Sequence, residues 1–231
     1  MKYRIESIST DLYECEGIEG KGEQRSCRVF KALEGLGCRF FNFSPESPLE
    51  RLPLSSEDGD ILPNAGFFHP ALAPSADALE GATEGDGTFS FISACGSFDL
   101  GQRVYTDDLD RFDETAARQI DFFKVILPRF RPKFVTIDEF GENVMSEAVI
   151  AKRRLTKLCW YNVFGPDYCE KYGREFLLKA PAQQTEDLGE LGVAVRVTAR
   201  LSAWLKKPDE KIVAYFGKKF PGIKPYRAVR S

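Results

Sequence analysis

A chain of 231 residues, 43% hydrophobic and 29% charged, can bury a substantial core, either as one large domain or as two small ones packed closely. No run of about 18 apolar residues occurs, which argues against a membrane-spanning helix, and MKYRIESISTDLYECE lacks the apolar centre of a signal peptide, so a cytoplasmic protein is expected. The net charge of −3 hides an asymmetry: residues 1–115 carry 10 Lys and Arg against 22 Asp and Glu, whereas residues 116–231 carry 22 against 13, a pattern of either a charged partner or two differently solvated surfaces.

KYRIESIS (2–9) alternates apolar and polar residues and predicts a strand. EGIEGKGEQ is a Gly-rich loop entering a helix over 23–36, closed by Gly35 and Gly37, and CRFFNFS (38–44) is the next strand. From Pro45 to Gly87 the composition turns to Pro, Ser, Gly, Asp and Ala without periodicity, which predicts a long irregular insertion with one short helix near 75–80. TFSFISACGSF (88–98) resumes as a strand paired with QRVYT (102–106). Leu109, Phe112, Ala116, Ile120, Phe123 and Leu127 then form one apolar stripe of a helix that Pro128 and Pro132 stop. KFVTIDEF (133–140) is a strand, a polar helix covers 144–155, and KLCWYNVF (157–164), apolar on both faces, reads as a central strand. A helix follows Pro166, then strands at 183–187 and 192–198. A last helix runs from Pro208 to Lys219, with acids at its start and lysines at its end.

Strand 2–9, helix 23–36 and strand 38–44 repeat in kind as strand 88–95, helix 109–127 and strand 133–140. The expected fold is therefore α+β: a mostly antiparallel sheet with helices on one side. It is read as a single domain over 1–231, with subunits 1–87 and 88–231 as related α/β units, and the insertion 45–87 within the first.

Six cysteines (Cys15, Cys27, Cys38, Cys95, Cys159 and Cys169) are scattered and none is in C-x-x-C spacing. With His69 the single histidine, neither a metal site nor a cofactor is expected. Gly17, Gly20 and Gly22 precede a helix in an order that fits no phosphate loop, and Glu16, Glu19 and Glu23 would repel a phosphate there. Cys95 could serve as a nucleophile with His69 as its base, yet nothing in the sequence brings them together, and a small buried thiol is the simpler reading. Asp138 and Glu139 end a strand, where catalytic carboxylates often stand. DDLDRFDE offers Asp107, Asp108, Asp110, Asp113 and Glu114 around a helix start, which either cap the helix or face a basic partner. The basic C-terminal segment interleaves Tyr215, Phe216, Phe220 and Tyr226, but the sequence pI near 5.5 argues against a nucleic-acid binder.

LCWYNVFGPDYCEKYGREFLLKAPA (158–182) is the most distinctive stretch. Gly165 and Pro166 fix a strand–turn–helix corner, and Tyr168, Tyr172 and Phe176 form its buried stripe. Asn162 would need hydrogen-bond partners if buried. Packing accounts for the rest. The run WYNVFGPDYCEKYGREFLLKAPA, then GVAVRVTA, resembles the C-terminal part of bacterial immunity proteins encoded beside polymorphic or type VI secretion toxins; the likeness is close there and looser over 109–220. That resemblance implies a non-catalytic cytoplasmic protein that binds a cognate protein toxin, with no membrane or nucleic-acid partner. Asp107, Asp108, Asp110, Asp113 and Glu114 are the expected contact residues. The rivals are an enzyme using Asp138, Glu139 or Cys95, and a self-associating module such as a homodimer.

Overall fold

The computed structural model describes residues 5–17, 22–43, 51–54, 64–69, 71–72, 88–93, 98–105, 109–139 and 145–225. The chain divides into two compact units, Met1–Ile8 with Gly17–Phe130, and Ser9–Glu16 with Arg131–Ser231. The fold is α+β with mostly antiparallel strand pairing, as the alternation of strand and helix periods implies.

Strand β1 (Ile5–Cys15) gives its first residues to the first unit, which continues with α1 (Gly22–Gly35), β2 (Arg39–Phe43), β3 (Arg51–Leu54), β4 (Asn64–Phe68), β5 (Thr88–Ser93), β6 (Phe98–Tyr105) and α2 (Leu109–Phe130). The strands lie in the order β6-β5-β4-β2-β3, every neighbouring pair antiparallel. The region read as irregular thus holds two strands. Four or five residues are too few to show a period, and Pro53 is tolerated because β3 ends the row. The helix expected near 75–80 lies outside the described residues. The stripe of α2 is buried as its spacing predicts from Phe112 through Phe123 to Leu127, whereas Leu109 at its start is 60% exposed. Pro128 does not stop the helix, which runs through it to Phe130.

The second unit takes Ser9–Glu16 and adds β7 (Pro132–Glu139), α3 (Glu147–Ala151), β8 (Lys157–Leu158), β9 (Tyr161–Phe164), α4 (Pro166–Tyr172), α5 (Arg174–Leu178), β10 (Gln184–Asp187), β11 (Val193–Arg196), α6 (Leu201–Lys206), α7 (Glu210–Gly217) and β12 (Lys224–Pro225). Its sheet has the order β10-β11-β9-β7-β1, antiparallel from β10 to β7, and β12 pairs with β8 in parallel. By register, Phe134, Phe164 and Val193 form one cross-strand row, and Thr136, Asn162 and Val195 form the next on the same face. Phe164 is the hub of that face: its ring stacks on Phe216 at 5.6 Å and meets Phe134 at 5.3 Å and Tyr168 at 6.0 Å.

Three expectations shift here. The strand 157–164 is two strands parted at Cys159 and Trp160, the helix after Pro166 breaks at Gly173 (φ 92°), and α6 is an additional helix too short to show a period. Asp209 caps α7, accepting from the Lys211 N–H at 2.8 Å. Gly165 serves the corner through close approach rather than an unusual backbone angle: its φ is −65°, and a Cβ there would stand 2.6 Å from the Lys133 carbonyl oxygen.

Candidate functional site

The break between β8 and β9 is held by one side chain. Asn162 is wholly buried; its Oδ1 accepts from the Cys159 N–H at 3.1 Å and its Nδ2 donates to the Cys159 carbonyl at 2.7 Å. The amide thus supplies the pairing that a strand neighbour would otherwise supply, and it lines no solvent-filled space. Asn162→Leu would leave both backbone groups buried and unbonded, so a stability loss of about 2–4 kcal/mol is expected by denaturant unfolding.

Asp138, at the end of β7, is the second buried polar centre. Its Oδ2 accepts from the Trp160 N–H at 2.7 Å and the Trp204 indole N–H at 3.2 Å, and its Oδ1 accepts from the Glu139 N–H at 2.8 Å. One carboxylate therefore ties β7, the β8–β9 break and α6 together. Burial pushes its pKa up to about 7 in spite of the three N–H donors. Thr136 beside it donates to Asp11 of β1 at 3.3 Å. Any acid–base role for Asp138 would require this clamp to open first.

The other chemistry-bearing residues are spread out. Cys95 lies outside the described residues. His69 sits in the first unit with both ring nitrogens engaged: Nε2 bonds to the Leu36 carbonyl and Nδ1 accepts from the Ala71 N–H, each at 3.1 Å. Its ring lies 4.8 Å from Phe122, and burial lowers its pKa. Burial raises the thiols of Cys38, to about 12, and of Cys159 and Cys169. None of these is tuned as a nucleophile.

Of the five acids read as a contact surface, Asp107 and Asp108 lie outside the described residues. Asp110 and Glu114 are exposed and Asp113 half-exposed on the first turns of α2, with Glu114 reaching Arg118 at 3.9 Å. Of the aromatics interleaved with the C-terminal lysines, Tyr226 lies outside the described residues and the other three turn inward. Phe216 and Phe220 are buried, and the Tyr215 hydroxyl donates to the Phe176 carbonyl at 2.8 Å.

Sequence reasoning missed a charged cleft of about 100 Å³ in the second unit, lined by Glu16, Arg131, Lys133, Asp167, Glu190 and Leu191. Lys133 meets Glu14 at 2.9 Å, Arg153 meets Asp167 at 3.3 Å, and Arg131 meets Glu190 at 3.1 Å. The hydrogen bond to Glu14 raises the Lys133 pKa. These residues come from distant parts of the chain, and only Asp167 belongs to a recognisable motif. Among the described residues no group of three or more His, Cys, Asp or Glu is placed to hold a metal ion, and no helix is long and apolar enough to cross a membrane.

No known protein family and no curated protein matches the chain. Among solved structures it is similar to the Pseudomonas aeruginosa T6SS protein PA0821, with a TM-score of 0.45 and 11% identity, over 95% of this chain and 76% of that one. That likeness is too distant to assign a role.

Proposed function

We propose that this chain is a non-catalytic, immunity-type protein that binds and neutralises a cognate bacterial toxin. The observation that carries the reading is the state of Asn162. The stretch with the family resemblance spends its one conspicuous polar side chain on its own backbone, so it serves the shape of the molecule and leaves the outer surface to bind. The acidic start of α2, with Asp107, Asp108, Asp110, Asp113 and Glu114, is the proposed contact. Carboxylates there would steer a basic toxin into place.

Co-purification with the product of the neighbouring reading frame, and suppression of that product's toxicity, tests the function. Replacing Asp107, Asp108, Asp110 and Asp113 together by Asn is expected to slow association about tenfold at low salt. An unchanged association rate would remove this surface. Failure of the two products to associate would remove the function.

A further inference from the structure

Arg196, the last residue of β11, is an anomaly in a unit whose other buried polar groups are largely bonded. It is half-buried, its Nε is covered, and that Nε has no hydrogen-bond acceptor. Folding normally avoids a buried donor left unbonded, and a guanidinium is the most demanding case because it can neither rotate the need away nor lose its proton. A residue kept at such a cost to stability is a candidate for work done in a complex.

The register shows what could reach it. Arg196 stands in one cross-strand row between Tyr161 of β9 and the exposed Gln184 of β10, the outermost strand. Approach is therefore from the β10 side. The nearest carboxylate by register is Glu186, diagonally across β10. Neither of its row neighbours, Tyr161 and Gln184, is a second cation. One positive charge with a planar fork matches a single carboxylate better than a phosphate or a nucleic-acid backbone.

We propose that Arg196 is the carboxylate-receiving anchor of a protein-binding surface on the second unit, engaging an acidic side chain of a partner side-on through Nε and one terminal nitrogen. Docking needs the arginine side chain to adjust while the strand stays in its ladder. Half-buried arginines flanked by tyrosine are frequent sites of concentrated binding energy.

The test follows the Arg196 Nε–H resonance by NMR in the full chain. Sodium acetate, a glutamate-rich dodecapeptide, sodium phosphate and a single-stranded oligonucleotide are each titrated in turn. A saturable downfield shift is expected with acetate, and with the peptide at a concentration at least about tenfold lower through its several carboxylates. Arg196→Met should abolish the response and leave the thermal midpoint unchanged or a few degrees higher, because a buried unbonded donor is removed. Arg196→Lys should also lose the Nε signature, since an ammonium has no fork. Three outcomes overturn the proposal: no shift with acetate or peptide, a stronger response to phosphate or oligonucleotide, or a midpoint lowered by about 5 °C or more in Arg196→Met, which would make the residue structural. None of these involves a toxin, so failure here leaves the immunity reading standing.

Discussion

Gly192→Ala is expected to prevent the second unit from folding. Gly192 opens β11 at φ 118° and ψ −146°, a region that side chains other than hydrogen rarely enter, at a cost of about 1–3 kcal/mol. Space is the larger obstacle. A Cβ would stand 2.0 Å from the Phe164 carbonyl oxygen and 2.9 Å from the Gly165 Cα. The only relief is to move β11 off β9, which breaks the pairing of Val193 with Phe164 and disturbs the ring cluster that Phe164 organises. Strain and overpacking together reach about 2–6 kcal/mol, a large share of the 5–15 kcal/mol that holds an ordinary domain. Soluble yield and denaturant midpoint check the result. Gly217→Ala, where no atom lies within 4 Å of the added carbon, is the control and should be neutral or slightly stabilising. A Gly192→Ala protein as stable as that control would show that the close approach is not a constraint.

The second large effect is a pH dependence set by Asp138. Its folded pKa is raised from 3.8 to about 7, so across that interval the folded chain holds a proton that the unfolded chain has released. Stability therefore falls as pH rises from about 4 to 7 and stays low above it. The size is on the order of 4 kcal/mol, since each pKa unit is worth about 1.4 kcal/mol. Asp138→Asn imitates the protonated form. Its unfolding free energy should match the wild type near pH 3–4 and exceed it at pH 8 by roughly that amount. His69 pulls the other way, because its depressed pKa removes stability as pH falls below about 6.5, but it is common to both proteins and cancels in the difference. If the three N–H donors outweighed burial, the order would reverse and Asp138→Asn would be the weaker protein at pH 8.

What the sequence disclosed, and what it hid, follows from where the signal sits. Helix α2 was legible because its stripe recurs over about five turns, and the Gly165–Pro166 corner because two residue types fix it locally. Asp209 announced α7. The strands at 51–54 and 64–68 were invisible because each is too short to repeat, and β1 outran its predicted end because the polar run Ser9, Thr10 and Asp11 interrupts the apolar alternation. The gap between β8 and β9 was hidden for another reason: a side chain, Asn162, stands in for backbone pairing, and no period records that. Asn162 was nevertheless marked by its polarity in an apolar run. Asp138 was noticed as a strand-end carboxylate, but its donors come from positions 139, 160 and 204, which only the fold collects. Arg196 passed as the polar member of an alternating strand, and its unbonded nitrogen is a fact of packing alone.

The parting of β1 between two units has a bearing on how the molecule is made. Thr136 and Asp11 bond across 125 residues of chain, and Lys133 holds Glu14 in the same way. On the ribosome, Ser9–Glu16 emerges well before Arg131 and then waits for all that follows before its side of the ladder exists. The second unit cannot be completed during synthesis of its own continuous part; it closes only when an early segment, held in reserve, is taken in. A fragment beginning at Arg131 would lack one strand of its sheet rather than an ornament, and supplying the missing peptide separately should restore what truncation removes.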